Sequence, residues 1–296
     1  FGACQGNDKT NEREVHYMYE AKAWKETDGP SLRGFNEKEA IDSVNGALAL
    51  RPQIEKIVDQ IWEEGFDGIY FMGIGGTYAS SMQVEVYMRG KSRLPVYVEN
   101  AAEFLTTGNK RCTDRSVVIY SSVSGNTKEM VELVDHVHKL GARVIAFIDT
   151  PGSALTQPGK SEHLIVYPVN EQLKFFMLAN YLMYKNGEFP EYDRYNQEME
   201  AHLAKALAEV EISADAWAYH YAKEQVAFKQ AHPDLPHYFI GSGTQYGATY
   251  SYAMCYWEEQ MWVRTKSISC PEFFHGMQEI IEADTPVTLF MGEDEQ

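Results

Sequence analysis

The feature of this chain that most limits its possible folds is a short apolar run that ends in a glycine-rich turn and leads into a helical pattern. This unit occurs at residues 69–77 and again at residues 238–244. Near-continuous apolar strands separated by helical patterns are typical of a parallel sheet that is covered by helices on both faces. The repeat therefore predicts two α/β units in tandem.

Several further apolar runs extend the pattern, and helical periodicity separates them. In the first part of the chain the predicted strands are residues 68–72, 95–98, 116–120, 143–148 and 164–169. A helical region then leads to a second set of strand candidates, at residues 237–240, 266–269 and 287–291. We expect two domains, each a doubly wound five-stranded parallel sheet flanked by helices, with the second copy truncated at the C-terminus.

The predicted boundaries follow from where the helical pattern begins and from a break near Pro190. Asn36, with Glu39 three residues later, resembles a capping box and marks the start of a helical region that continues to Glu64. We expect an irregular N-terminal segment at residues 1–35, a first domain at 36–190 and an incomplete second domain at 191–296.

Composition narrows the classes of partner. The 26 Lys and Arg residues against 43 Asp and Glu residues give a net charge of −17, which argues against nucleic acid as a partner. It leaves room for a small phosphorylated substrate, because backbone amides and hydroxyls bind phosphate without net positive charge. No apolar run is long enough to predict a membrane span. The four cysteines lack regular spacing, which favours reduced thiols in a cytoplasmic protein over disulfides or a zinc site.

Two turns follow predicted strands at their carboxyl ends, where open parallel sheets bind ligands. The first, residues 73–77, lacks the complete G-x-G-x-x-G dinucleotide pattern, and the chain has no G-x-x-x-x-G-K-[ST] loop. The second, residues 122–127, places the hydroxyls of Ser122, Ser124 and Thr127 directly before a helix. The free N–H groups and the positive dipole at a helix start favour an anion, so this turn predicts a phosphate site. The alternative is that Ser124 or Thr127 simply caps the helix.

The second turn resembles the S-x-S-G-x-T phosphate loop of the sugar isomerase (SIS) domain family, and Gly76-Thr77 resembles the turn after that family's first strand. The resemblance extends over about residues 40–296 and includes the tandem arrangement. It implies a phosphosugar ligand. The residues that it assigns to phosphate and sugar binding are Gly75, Gly76, Thr77, Ser122, Val123, Ser124 and Thr127, with Val123 contributing its backbone N–H.

The resemblance also points to two catalytic residues. Isomerising members carry a glutamate on the first helix of the second copy and a histidine sixteen residues later, in an E-x-x-H-G segment. Here that segment is residues 272–276, so Glu259 and His275 take these places. The sequence from Glu259 onwards is most similar to the fructosamine-6-phosphate deglycases, which split a phosphorylated sugar–amine adduct into glucose 6-phosphate and an amine. The resemblance implies that no cofactor and no metal are needed.

The two residue types suit that chemistry. A carboxylate such as Glu259 can move a proton between C1 and C2 of the sugar, and an imidazole such as His275 titrates near neutral pH. The alternative for each is structural: Glu258 and Glu259 form an acidic pair of the kind common on solvated helix faces, and His275 is then a buried or helix-terminal residue.

Two other functions fit the same sequence. An amino-sugar-phosphate isomerase or deaminase would use the same two residues with a different leaving group. A non-catalytic phosphosugar sensor would bind ligand and regulate a partner. The resemblance further implies a homodimer with the active site at the subunit interface. The sequence leaves the released amine open.

Overall fold

A computed structural model of the protein describes residues 35–292, except for the side chain of Ala216. The predicted N-terminal segment 1–35 lies outside the described residues, apart from its last residue. Cys4 lies outside them too, and Cys112, Cys255 and Cys270 are free. Within the described range, no helix combines the length and apolar character that crossing a bilayer requires.

The first unit is an α/β fold around one parallel sheet. Its strands are β1 (Gly68–Gly73), β2 (Val96–Asn100), β3 (Ser116–Ser122), β4 (Arg143–Ile148) and β5 (His163–Val166). Its helices are α1 (Glu37–Leu48), α2 (Arg51–Glu64), α3 (Gly76–Arg89), α4 (Ala101–Thr107), α5 (Lys128–Leu140) and α6 (Glu171–Lys185). The strands lie in the order β2-β1-β3-β4-β5 and every pairing is parallel, which confirms the predicted five-stranded sheet.

The start of the first unit differs from the prediction in one respect. The Asn36 side chain accepts a hydrogen bond from Glu39 N at 3.2 Å, which confirms the predicted cap of α1. The helical region to Glu64 is two helices rather than one, and the break lies at residues 49–50. The reason is Pro52 in the first turn of α2: proline lacks the N–H that would continue a helix.

Alternate residues of the strands pack on opposite faces of the sheet. On one face, Ile69, Phe71 and Ile119 pack against α1, α2, α3 and α6. On the other, Tyr70 and Tyr120 pack against α4 and α5. Because both faces are covered, the strands read as continuous apolar runs in the sequence, and their carboxyl edge is the part left open for a ligand.

The remaining described residues form a connecting helical region and a second sheet. The helical elements are α7 (Tyr192–Glu198), a π-helical segment (Met199–Leu203), α8 (Ala204–Ala231), α9 (Thr244–Ser251), a second π-helical segment (Tyr252–Glu258) and α10 (Cys270–Phe273). The strands are β6 (His237–Gly241), β7 (Thr265–Ser269) and β8 (Val287–Leu289), in the parallel order β7-β6-β8. These three strands match the three strand candidates predicted for the second part of the chain, and the described residues contain no counterpart of β4 and β5, as expected for a truncated copy.

The turns after β1 and β6 have the same local geometry. Gly75 has φ 62° and ψ −130°, and Gly243 has φ 54° and ψ −135°. One helical turn later, Ser81 Oγ donates to Thr77 O at 2.9 Å and Thr249 Oγ1 donates to Gln245 O at 2.8 Å. The order β7-β6-β8 also matches the order β2-β1-β3. The two parts of the chain therefore correspond in the geometry of this turn and in the order of three strands.

The helices that follow these two turns pack directly on each other. At Gly247 of α9, a Cβ atom would lie 2.5 Å from the carbonyl oxygen of Ala79 on α3, so a side chain has no room there. Nearby, the rings of Tyr78 and Tyr250 meet edge to face at 6.4 Å between centroids. The α3–α9 crossing joins the two sheets through backbone contact.

Candidate functional site

The strand order places a crevice between β1 and β3. The chain leaves β1 towards β2 on one side of the sheet, and β3 lies on the other, so the connections diverge at this point. Ligands of open α/β sheets bind in such a crevice, outside the carboxyl ends of the strands. The turns at residues 73–77 and 122–127 flank it.

The turn at residues 122–127 presents hydroxyl groups to solvent. The hydroxyls of Ser124 and Thr127 lie 3.3 Å apart, and Ser124 is exposed. Ser122 is buried and accepts a hydrogen bond from Gly125 N at 3.1 Å, so it holds the turn together from within. Val123 is 60% exposed, and its carbonyl oxygen accepts from Thr150 Oγ1 at 2.7 Å.

The loop after β4 supports this turn from below. Leu155 N donates to Gly125 O at 3.0 Å, and Ala154 N donates to Asn126 Oδ1 at 2.9 Å. Gly125 has φ 63°, and a Cβ atom there would lie 2.0 Å from Ser153 Oγ. Glycine is required at this position, because both the left-handed backbone and the close approach of Ser153 exclude a side chain.

The N-terminus of α5 has no side-chain cap. Thr127 occupies the N-cap position, yet its hydroxyl accepts no hydrogen bond from the helix. Ser124 accepts from Asn126 N at 3.2 Å, which lies before the helix. By contrast, Asn36 and Asn100 cap α1 and α4 with their side chains. The first N–H groups of α5 are thus left for a ligand or water, which is the arrangement that binds phosphate.

The turn at residues 73–77 contributes mainly backbone. Thr77 Oγ1 donates to Ile74 O at 3.0 Å and accepts from Ile74 N at 3.2 Å, so this hydroxyl closes the turn. Gly75 is the N-cap of α3 and supplies no side-chain cap. Gly76 faces the second unit, where Cys255 Sγ and Ser251 Oγ would lie 3.7 and 3.9 Å from its Cβ atom.

Glu259 and His275 both lie in the second unit. Glu259 follows the π-helical segment that continues α9, and its backbone N–H donates to Met254 O at 2.9 Å. His275 follows α10, where its N–H donates to Glu272 O at 3.2 Å. Both side chains are exposed. Among the hydrogen bonds and ion pairs of residues 35–292, none links either side chain to the turns of the first unit.

Glu171, a residue that the sequence analysis missed, lies at the same edge of the first sheet. It is the first residue of α6 and is partly buried. Burial raises the pKa of its carboxyl group. The one sequence signal for it is its place after the fifth strand, which alone does not distinguish it from an ordinary helix-start glutamate.

A buried ion pair supports the backbone before Glu171. Lys174 Nζ lies 3.0 Å from Asp149 Oδ1 and donates to Tyr167 O at 2.7 Å, with the lysine fully buried. Asp149 Oδ2 also accepts from Val169 N at 2.8 Å. Val169 and Asn170 both have left-handed backbone, with φ of 54° and 55°. Such strain in non-glycine residues is concentrated at functional sites.

Two other features of the structure do not contribute to this edge. A groove of about 760 Å³ runs between α8 and the second π-helical segment, but its lining is mostly apolar and includes neither turn. No group of three or more His, Cys, Asp or Glu side chains in the described part of the chain is arranged to hold a metal ion.

Comparison with known protein families identifies the first unit. Residues 66–184, from the strand before the first turn to α6, match the profile of the SIS domain. This part of the chain is a SIS domain. Both turns and Glu171 lie within it, whereas Glu259 and His275 lie outside the matched residues.

Three curated relatives align with most of the chain. Fructosamine deglycase FrlB of Bacillus subtilis (strain 168) is 27% identical over 255 residues, covering 82% of this chain and 74% of FrlB. Fructoselysine 6-phosphate deglycase of Escherichia coli (strain K12) is 23% identical over 249 residues, covering 82% of this chain and 71% of that protein. An isomerizing glutamine–fructose-6-phosphate aminotransferase of Mycolicibacterium paratuberculosis is 26% identical over 267 residues, covering 84% of this chain but 40% of the aminotransferase.

Solved structures share the fold of this chain. A protein of Salmonella typhimurium LT2, provisionally assigned as a phosphosugar isomerase, superimposes with a TM-score of 0.72 at 22% identity, covering 81% of this chain and 74% of that one. The C-terminal domain of a Francisella tularensis glucosamine-fructose-6-phosphate aminotransferase superimposes with a TM-score of 0.67 at 18% identity, covering 90% of this chain and 79% of that one. At these identities the similarity concerns the fold alone.

Proposed function

We propose that this protein is a phosphosugar-amine deglycase. It splits a fructosamine-type 6-phosphate, an adduct of a sugar and an amino acid, into glucose 6-phosphate and the free amine. The observation that carries the proposal is the uncapped N-terminus of α5 beneath the hydroxyls of Ser124 and Thr127, within a SIS domain. Similarity to two deglycases over 82% of the chain supports the choice of reaction.

The turn at residues 122–127 binds the 6-phosphate. Ser124 and Thr127 donate hydroxyl hydrogen bonds, Val123 donates its backbone N–H, and the first N–H groups of α5 point at the same position. These donors are neutral, so they bind a dianion although the chain carries a net charge of −17. Gly75, Gly76 and Thr77 form the opposite wall of the crevice and hold the sugar.

Glu259 and His275 carry out the proton transfers. The Glu259 carboxylate takes a proton from C1 of the ketosamine while His275 donates a proton to O2, which gives the enaminol. Glu259 then returns its proton to C2, and the resulting aldimine, protonated on nitrogen, has its double bond between C1 and nitrogen. Water adds to C1, the amine leaves, and the aldehyde of glucose 6-phosphate remains.

We propose that two copies of the chain complete the active site. Glu259 and His275 are exposed in one copy, and large apolar side chains near them are exposed as well: Met261 by 52%, Trp262 by 90% and Phe274 by 62%. Exposed apolar surface of this kind is typical of a protein–protein interface. A homodimer with the active site at its interface accounts for both observations. Sedimentation that gives an active monomer would contradict this proposal.

The second sheet is proposed to be an incomplete SIS copy. Support comes from the matching turn geometry at Gly75 and Gly243 and from the strand order β7-β6-β8. The complete SIS copy then occupies residues 36–190 and the incomplete one residues 191–296 of the same chain. We also propose a cytoplasmic location, which suits the free cysteines, and neither nucleic acid nor a membrane surface as a partner, which suits the acidic charge.

An amino-sugar-phosphate isomerase or deaminase is a second candidate. The observation that favours it is the 26% identity to an isomerizing aminotransferase over 84% of this chain. The same proton transfer between C1 and C2 would serve that reaction, since only the leaving group and the pocket for the amine differ. A non-catalytic phosphosugar sensor would bind the same ligands without turning them over.

A substrate screen tests the proposal. Purified protein is incubated with 6-phosphorylated adducts of fructose with lysine, aspartate, glutamate, asparagine and ammonia, and released glucose 6-phosphate is measured by a coupled assay. We expect release from at least one adduct and none from its unphosphorylated counterpart. Interconversion of fructose 6-phosphate and an amino sugar would support the second candidate. Binding without turnover of any compound would support the sensor, and absence of binding would overturn the phosphosugar assignment.

A further inference from the structure

The turn at residues 122–127 is bonded to the loop after β4 through its carbonyl oxygens. The oxygen of Ser122 accepts a hydrogen bond from Asp149 N at 3.2 Å, and the oxygen of Gly125 accepts one from Leu155 N at 3.0 Å. Both donors are backbone N–H groups, so these two bonds do not depend on which side chains the loop carries. They fix the two ends of a stretch of four successive carbonyl groups.

Side chains hold the two carbonyl groups in between. Thr150 Oγ1 donates to the Val123 oxygen at 2.7 Å, and Asn126 Nδ2 donates to the Ser124 oxygen at 3.0 Å. The Asn126 amide is itself anchored, because its Oδ1 accepts from Ala154 N at 2.9 Å. All four carbonyl oxygens are therefore occupied by donors of the protein, and two of the four bonds depend on the side chains of Thr150 and Asn126.

The N–H groups of the same stretch are used differently. A trans peptide directs its N–H opposite to its carbonyl oxygen, so the N–H of Ser124 points away from Thr150, which holds the oxygen of Val123. No residue of the described range 35–292 accepts a hydrogen bond from the N–H of Val123 or of Ser124. Backbone with its carbonyl oxygens occupied and its N–H groups open is the arrangement of an anion-binding nest.

Ordinary closure of a turn does not account for these bonds. The turns after β1 and β6 close on themselves: Thr77 Oγ1 bonds to Ile74 in the first, and Gln245 N donates to Ser242 O at 2.9 Å in the second. In the turn after β3, by contrast, Thr150 reaches a carbonyl oxygen from 27 positions further along the chain. Both side-chain bonds are exposed, so water would satisfy the same carbonyl groups if only solvation were at stake.

We propose that Thr150 and Asn126 are positioning residues for the phosphate. They hold the two middle carbonyl oxygens of the turn away from the ligand, so that a dianion meets only N–H and O–H donors. This inference rests on the proposed function. The donors at the turn are neutral, and a carbonyl oxygen that rotated towards the phosphate would place a negative partial charge against it and remove a donor at the same time. Neither side chain needs to touch the ligand, since each acts through the backbone that it holds.

The test measures affinity for fructose 6-phosphate by calorimetry, so it does not depend on turnover. Thr150→Val keeps the shape of the side chain and removes the hydroxyl, and Asn126→Ala removes the amide. We expect each variant to bind at least fivefold more weakly than the wild type. The melting temperatures should stay close to that of the wild type, because both bonds are exposed. Thr150→Ser, which keeps the hydroxyl, should bind within twofold of the wild type.

Kinetics with the adduct that the substrate screen identifies give a second measurement. A group that contributes equally to binding of the substrate and of the transition state raises KM when it is lost and leaves kcat unchanged. We expect Thr150→Val and Asn126→Ala to raise KM at least fivefold with less than a twofold change in kcat. A merely structural role would lower kcat and the melting temperature together.

Thr106→Val is the matched control, because Thr106 is an exposed threonine whose hydroxyl donates to Glu103 O at 2.9 Å within α4. It should leave affinity and KM unchanged. Unchanged affinity of Thr150→Val and Asn126→Ala, or a weakening that Thr150→Ser shares, would overturn the positioning role while the proposed function stands. Failure of the wild type to bind fructose 6-phosphate or any phosphorylated adduct would overturn the proposed function and this inference together.

Discussion

The side-chain hydroxyls of Ser124 and Thr127 lie 3.3 Å apart at the start of α5, and neither accepts a hydrogen bond from the helix that they precede. Asn36 and Asn100 show what capping looks like in the same molecule, because their side-chain oxygens accept from the N–H groups of α1 and α4. A hydroxyl pair that does not cap its helix is available to a ligand. Removing these two hydroxyls should therefore affect phosphate binding and not the stability of α5.

Replacing the hydroxyl pair should weaken phosphate binding with little effect on stability. For the double variant Ser124→Ala and Thr127→Val we expect at least a tenfold loss of affinity for fructose 6-phosphate, or about 1.4 kcal/mol. The melting temperature should stay close to that of the wild type, because no cap is removed. Asn36→Ala is the control: it should lower the free energy of unfolding by about 1 kcal/mol and leave affinity intact. A lower melting temperature of the double variant with unchanged affinity would mean that the two hydroxyls stabilise α5 and do not bind phosphate.

Glu259→Gln should abolish turnover while sugar-phosphate binding persists. General acid–base catalysis typically contributes about 10²- to 10⁴-fold, so kcat should fall by about that factor. The neighbouring Glu258 provides the control, because its Oε1 accepts from Thr265 Oγ1 at 2.6 Å and has no proposed part in the reaction. Glu258→Gln should retain kcat. Equal losses in the two variants would assign Glu259 a structural role.

Val169→Gly should stabilise the protein, although it removes a side chain. Val169 has φ 54°, and left-handed backbone costs a non-glycine residue about 1–2 kcal/mol. The side chain is 55% exposed, so little packing is lost. We expect the free energy of unfolding, measured by urea titration, to rise by about 1 kcal/mol. Val210→Gly, at a 63% exposed position of α8 with ordinary helical backbone, should lower it by about 0.5 kcal/mol.

The free energy of unfolding should decrease as the solution is acidified, because His237 is buried in its neutral form. Burial, together with the charge of Lys229, lowers the pKa of its imidazole to about 4 from an ordinary value of 6.5. The folded state therefore resists a proton that the unfolded state accepts, and stability falls as pH decreases from 6.5 towards 4. The full effect is about 3 kcal/mol. Unfolding of wild type and His237→Phe measured across this range should show a shallower slope for the variant, and parallel slopes would contradict the assignment.

Much of the fold was predictable, because strands of a parallel sheet that is buried on both faces consist of nearly continuous apolar residues. Each predicted strand of the first sheet overlaps an observed one, and so do His237–Gly241, Thr265–Ser269 and Val287–Leu289 of the second. The capping box at Asn36 was equally local. The helix break at Pro52 was missed because apolar spacing continues across it.

The site was predictable only where its geometry depends on neighbouring residues. The turn at residues 122–127 is such a segment, since three hydroxyls and a glycine act within six positions. The burial of Glu171 depends on how α6 meets the rest of the first unit in space, so no local sequence pattern predicts it. Glu259 and His275 came from the family resemblance, and their catalytic roles stay predictions.

The close approach of Gly247 to the carbonyl oxygen of Ala79 couples the unfolding of the two sheets. Because α3 and α9 pack closely at Gly247, where a Cβ atom would lie 2.5 Å from the carbonyl oxygen of Ala79, separating the sheets would expose this contact. The two halves should then melt together in one cooperative transition. Trp62, packed in the first half, and Trp257, buried in the second, should report the same midpoint on heating.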